Sequence, residues 1–171
     1  MTQLMLRLHQ RDERVLLLLV GKRSGRLDRG VRALTHLGGA TATIAVAGLL
    51  LSLGSAARPA ALATGFALVA SHLVVQLLKR GIARTRPRLP IGMESLMDAP
   101  DRFSFPSGHA AAALSIALGL ASLLPVWLAI LPLALGLAVG LSRCYLGVHY
   151  PGDVIAGWLL AFAAYALGGT M

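Results

Sequence analysis

Residues 107–142 read SGHAAAALSIALGLASLLPVWLAILPLALGLAVGLS, 36 positions without one Asp, Glu, Lys or Arg. A helix bathed in water needs a wet face, and nothing in this run supplies one. Residues 33–57, 59–78 and 154–171 are equally free of formal charge. One 171-residue soluble core cannot bury four such segments, so lipid is the solvent for their outer faces. Only 13% of the residues are charged and the mean hydropathy is +0.72, against about a quarter charged in an ordinary soluble domain.

The fold class expected is therefore all-α: a polytopic membrane helix bundle of about five transmembrane helices plus an N-terminal amphipathic interfacial helix. Residues 1–30 mix leucines (Leu4, Leu6, Leu8) with arginines (Arg7, Arg11, Arg14), a pattern suited to the headgroup layer. The alternative for this basic amphipathic N-terminal segment is a disordered tail. Residues 31–171 form the membrane-embedded domain. Its first span is read at about 33–53 and its second at about 59–79, opening on Pro59, a residue suited to the first helical turn. The stretch 80–106 holds Pro87, Pro90, Pro100 and Pro106 with most of the remaining charge, and is read as a polar loop. Ser107 then caps a third helix over 108–124. Pro125 divides the long run, a fourth helix covers 126–142 with Pro132 as the place for a kink, and a fifth covers 153–169. Gly65, Gly119, Gly136 and Gly140 are read as sites of close helix packing.

The net charge of +9 raises nucleic acid as a partner, but no basic stripe is interleaved with aromatics, so none is expected. The single cysteine, Cys144, excludes an intrachain disulfide. The apolar run Val15–Val20 is too short for the core of a signal peptide.

Five crossings would put the N-terminal segment, the 80–106 loop and the 143–152 loop on one face of the membrane. Three constellations fall there. In Lys79-Arg80-Gly81-Ile82-Ala83-Arg84-Thr85-Arg86-Pro87, Lys79 and Arg86 are seven apart and would share a helix face as an oxyanion clamp, unless they simply contact lipid headgroups. Pro106-Ser107-Gly108-His109 opens a helix, where free amides and the dipole favour an anion; an ordinary cap is the bland reading. Ser142-Arg143 followed by Gly147-Val148-His149-Tyr150-Pro151-Gly152-Asp153 supplies a cation, an imidazole and a carboxylate at membrane depth, where ionisable groups are costly. Asp153, four residues after His149, can accept its ring N–H and leave the other nitrogen free to attack. A surface His–Asp pair at a helix start is the competing view.

Together these motifs supply what phosphoryl transfer needs, and they lack a carboxylate cluster for Mg²⁺ or H-E-x-x-H for zinc. No cofactor and no metal are expected. His36 and His72 read as packed, hydrogen-bonded residues inside apolar spans. Cys144 beside Arg143 offers an activated thiol on adjacency alone.

The three elements, in this order and spacing, resemble the type 2 phosphatidic acid phosphatase family of integral-membrane lipid phosphate phosphatases: Lys-six residues-Arg-Pro at 79–87, Pro-Ser-Gly-His at 106–109, and Ser-Arg-five residues-His-three residues-Asp at 142–153. The resemblance spans about residues 30–170 and implies that 31–171 is a membrane-embedded phosphatase domain. It implies His149 as the nucleophile of a phosphohistidine intermediate, Asp153 as its orienter, and His109 as the proton carrier to the leaving alcohol and from water. Lys79, Arg86, Ser107, Gly108 and Arg143 would hold the phosphate. Many family members carry a further span before the segment resembling Thr35–Gly39, where this chain has only its basic stretch.

The resemblance also implies the partners: a membrane lipid phosphate and the bilayer. Of the 16 Lys and Arg, only Arg58 lies on the far face; setting aside Lys79, Arg86 and Arg143 leaves 12 against one. The positive-inside rule then points the catalytic face of a multi-pass inner (plasma) membrane protein towards the cytoplasm. That side suits phosphatidylglycerophosphate, phosphatidic acid or a polyprenyl phosphosugar; an outward site would suit undecaprenyl pyrophosphate. Arg88 and Arg102 are available for a second anionic group. Readings from other classes are a non-enzymatic transporter or scaffold, and a vanadate-dependent haloperoxidase, whose known forms are soluble.

Overall fold

The computed structural model describes residues 3–99 and 101–170. Met1, Thr2, Met171 and Pro100, the last expected in the polar loop, lie outside the described residues, as do the side chains of Leu4 and Leu6. Seven α-helices follow in order: α1 Gln3–Val20, α2 Gly25–Thr35, α3 Ala40–Ser52, α4 Arg58–Ile82, α5 Gly108–Ser122, α6 Val126–Tyr145 and α7 Pro151–Gly168. Alanine and leucine, the strongest apolar helix formers, dominate the last five, and Pro59 and Pro151 occupy first-turn positions where their missing N–H costs nothing.

Helices α4, α6 and α7 are long and apolar enough to cross a bilayer. The chain is thus an all-helical, multi-pass membrane protein. The expected single span at 33–53 is instead a bent pair: α2 and α3 meet at 53°, broken by a 3-10 turn at His36–Gly38 and extended Gly39. A Cβ on Gly38 would sit 2.7 Å from Val139 and 2.9 Å from the His109 carbonyl, so the backbone passes close against α5 and α6. Helix α5, at 15 residues, is about 22 Å long, short of the roughly 30 Å core. It lies at the centre, packed against α4, α6 and α7, and its small residues Ala110, Ala111, Ala113 and Ala117 let those neighbours approach. With the bent pair counted as one span there are four candidate crossings among the described residues, one fewer than the five expected; α5 is apolar but too short to count.

Pro132 does not interrupt α6, and α6 continues three residues beyond the expected end, to Tyr145. Gly136 and Gly140 face α5 and Trp158 at distances that exclude a side chain, whereas Gly65 meets open space and is not a packing glycine. The N-terminal segment is helical, not a disordered tail. Leu16 and Val20 of α1 are buried against Ala110, Cys144, Tyr150 and Val154, so α1 closes over the end where α6 finishes and α7 begins. Cys144 belongs to this apolar cluster, which leaves no support for an activated thiol.

Candidate active site

The C-terminal ends of α4 and α6 and the N-terminal ends of α5 and α7 meet at one end of the bundle, and a cavity of about 610 Å³ opens between them. Lys79, Arg86, Gly108, His109, Arg143 and His149 all line it. Each arrives from a different local device. Helix α4 delivers Lys79 and stops three residues later, where Ala83 takes the left-handed conformation (φ 50°) and returns its N–H to the Lys79 carbonyl. Lys79 and Arg86 therefore do not share a helix face as the seven-residue spacing suggested. Arg86 reaches the cavity from the loop, held by a bridge between Thr85 and Phe103 and by Ser104 N–H donating to the Arg84 carbonyl.

The Ser107 hydroxyl does not line the cavity; it accepts from Ala110 N–H as the cap of α5, 3.4 Å away. Its N–H donates to the Asp153 carbonyl at 2.9 Å, which fixes the start of α5 against that of α7. Helix α6 presents Arg143, 1% exposed, whose Nη1 donates to Thr35 Oγ1 at 2.9 Å and to Met97 Sδ at 3.3 Å. Its Nε is buried with no partner. Such an orphaned donor is rare in a native interior, and Arg143 lines the cavity.

His149 sits in the turn between α6 and α7, with its backbone N–H directed to the Arg143 carbonyl. Arg86 Nη1 lies 3.2 Å from His149 Nε2. A guanidinium only donates, so this contact is a hydrogen bond in the tautomer that leaves Nε2 unprotonated and puts the proton on Nδ1. Nδ1 faces Asp153 Oδ2 at 3.6 Å, an ion-pair distance longer than a hydrogen bond. Asp153 is fully buried and its oxygens serve other donors: Oδ2 accepts from Tyr150 N–H at 2.9 Å and Oδ1 from Arg84 Nη1 at 2.7 Å. Burial pushes the His149 imidazole down to about 4; Asp153 opposes that shift, while Arg86 and Arg143 add to it.

Sequence reasoning passed over three residues here. Asp101 bridges both clamp cations: Oδ2 is 2.6 Å from Lys79 Nζ, and Oδ1 accepts from Arg86 Nη2 at 2.9 Å. Burial alone would raise its carboxyl, but Lys79 and Arg86 hold it below the usual carboxylate range. Arg84 pairs Asp153 with Asp12 of α1, its Nη2 lying 2.8 Å from Asp12 Oδ2, and stacks 4.1 Å over the Tyr150 ring. Asp12 also accepts from Gly152 N–H at 2.8 Å. The signal for Arg84 was its place inside the basic cluster; nothing local marked Asp12 or Asp101. Arg88 and Arg102 do not line the cavity, and Arg102 lies over Phe103. Neither His36 nor His72 is packed as expected: both are exposed, and His72 on α4 lines the cavity. Among the described residues no cluster of three or more His, Cys, Asp or Glu assembles.

The family model of the PAP2 superfamily matches residues 60–168. A decaprenylphosphoryl-5-phosphoribose phosphatase of Mycolicibacterium smegmatis is 37% identical over 131 residues, which cover 75% of this chain and 69% of that protein. The chain belongs to the PAP2 superfamily and is one of its membrane-bound lipid phosphate phosphatases. Two solved structures share its fold. Aquifex aeolicus LpxE superposes with a TM-score of 0.82 at 23% identity, covering 92% of this chain and 94% of that one. The transmembrane PAP2-type phosphatidylglycerolphosphate phosphatase of Bacillus subtilis gives 0.74 at 26%, covering 95% and 85%.

Proposed function

We propose that the chain hydrolyses a phosphomonoester on a membrane lipid through a phosphohistidine on His149, at the cytoplasmic face of the inner membrane. The observation that carries this reading is the meeting, in one cavity, of His149 with Lys79, Arg86 and Arg143, the Arg86 Nη1 lying 3.2 Å from His149 Nε2. Nε2 attacks phosphorus in line with the lipid oxygen, and the P–O bond to the lipid breaks as the N–P bond forms. Arg86, now on the Nε2 lone pair, turns to a phosphoryl oxygen, while the Arg143 Nε and the amide at Gly108 meet the others. His109 gives its proton to the departing alkoxide. It then takes one from water, whose oxygen attacks phosphorus and breaks the N–P bond, freeing phosphate and both histidines. Asp153 steadies the Nδ1 proton of His149 as positive charge develops on the ring.

The walls favour a lipid. Beyond the cations the cavity is lined by Ile44 of α3, Leu68, Val69, Leu73 and Val75 of α4, and Ala111 and Ala112 of α5. Ile44, Val69 and Leu73 are exposed at the outer surface, so an acyl or prenyl chain has a sideways exit into the bilayer between α3 and α4. The polyprenyl-linked phosphate in the name of the mycobacterial relative supports the same substrate class.

Detergent-solubilised protein should release phosphate from lipid monophosphates in EDTA, with vanadate inhibiting, and ³²P from a labelled substrate should be trapped on the protein as an acid-labile adduct. His149→Ala should lose about 10⁴-fold or more in turnover and all label. EDTA-sensitive release, or label retained without His149, would overturn the proposal.

A further inference from the structure

Helix α4 runs inward from the cations, and its cavity face is not uniformly apolar. Gln76 lies about 4.5 Å deeper than Lys79 and His72 about 10.5 Å deeper, within about 60° and 20° of the same helix face. Both line the cavity. The remaining polar side chains at that depth are already committed to their own helices. Thr43 Oγ1 donates to the Gly39 and Ala40 carbonyls at 3.0 and 3.1 Å, and Ser71 Oγ points back to the Leu68 carbonyl at 3.5 Å. The facing wall of α5 offers only Ala111 and Ala112 methyl groups. An amide and an imidazole placed at bilayer depth against such walls are costly unless something polar meets them.

Building on the proposed lipid phosphatase, we infer that His72 and Gln76 form a second, hydrogen-bonding subsite for a polar linker between the scissile phosphate and the hydrocarbon chain. A phosphate held at Lys79, Arg86 and Arg143 places the next several bonds of the substrate beside Gln76, then His72. A lipid whose phosphate is attached directly to a prenyl carbon would put bare methylenes there. A lipid with sugar hydroxyls, or with the ester carbonyls of a glycerol backbone, would satisfy both side chains. The chemistry shared by these two sources is a run of oxygens about 4 to 10 Å from phosphorus.

The test compares kcat/KM on three probes: farnesyl phosphate, which has no linker; phosphatidic acid, with a glycerol diester; and a prenylphosphoryl pentose phosphate. The wild type should prefer at least one linker-bearing probe, and the preferred one identifies the source. In the His72→Leu, Gln76→Leu protein the ratio of linker-bearing to farnesyl kcat/KM should fall about tenfold, the scale of losing hydrogen bonds to a substrate's polar groups. Each single substitution should give about threefold and serves if the pair does not accumulate; a monodisperse elution profile reports folding. Equal loss on all probes, or no change in the ratio, overturns the subsite. So does a wild type that turns over farnesyl phosphate alone, although the phosphatase reading would then stand. Failure to release phosphate from any of the three removes both.

Discussion

Burial and two neighbouring cations together set the protonation of His149, the proposed nucleophile. The ring sits in a turn 2% exposed, flanked by Arg86 and Arg143, and proton binding is disfavoured until about pH 4. In the proposed mechanism the neutral form attacks, so lowering the pKa extends reactivity to lower pH. The ¹³C ring signal of His149, assigned by its loss in His149→Ala, should hold its neutral position as pH falls through 6.5 and move only near 4. Movement centred at 6.5 would show a solvated ring instead. Arg84 is the second residue to test. It pairs with both Asp153 and Asp12, so Arg84→Ala leaves a buried carboxylate without its cation directly behind His149. Arg84→Ala should lower kcat about 10²-fold with little change in KM, because the loss falls on the alignment of the nucleophile. Asp12→Asn, which preserves the pair with Asp153, should lose far less; steady-state kinetics on a lipid monophosphate separate the two.

At the level of elements, the site depends on where two helix starts touch. A Cβ on Gly157 would lie 2.5 Å from the Ser107 carbonyl oxygen and 3.2 Å from Ala110 Cβ. Backbone cannot swing aside, so Gly157→Ala must push the first turn of α5 away from α7, and His109 away from His149. We expect destabilisation of about 1–3 kcal/mol with lower kcat, read by thermal unfolding in detergent and by turnover. Gly65→Ala on α4, where nothing lies within 4 Å, should be neutral or slightly stabilising in the same assays. The bend between α2 and α3 belongs to this level too. Periodicity and charge marked an uninterrupted span there; the Gly38-Gly39 pair is a local breaker signal, but the 53° angle also depends on how closely the backbone packs against α5 and α6.

For the whole molecule, helices α1 and α2 carry their basic residues to the end that holds the cavity. Arg23 donates to the Tyr145 and Glu94 carbonyls, and Asp28 accepts from the Tyr145 hydroxyl, so this segment is tied to the end of α6. The proposed cytoplasmic orientation of the cavity rests on that concentration of charge. In intact cells an impermeant thiol reagent should modify Ser55→Cys and spare Ser95→Cys; Cys144 is buried and should stay silent in both. Labelling of Ser95→Cys alone would place the cavity on the outer face.

Legibility followed the range of the interactions involved. Charge-free runs, prolines and the Ser107 cap act within a few residues, so the helical membrane class, most of the boundaries and the residues at 79, 86, 108, 109, 143 and 149 could be read directly from the chain. Ser107 was legible as a cap but not as a group turned away from the cavity. Asp101 between two cations, Asp12 and Arg84 behind Asp153, and His72 facing the cavity were decided only by tertiary structure. Each is a contact between segments separated by many residues or a matter of which face a helix turns inward. Neither local propensity nor spacing encodes such a pairing; packing settles it.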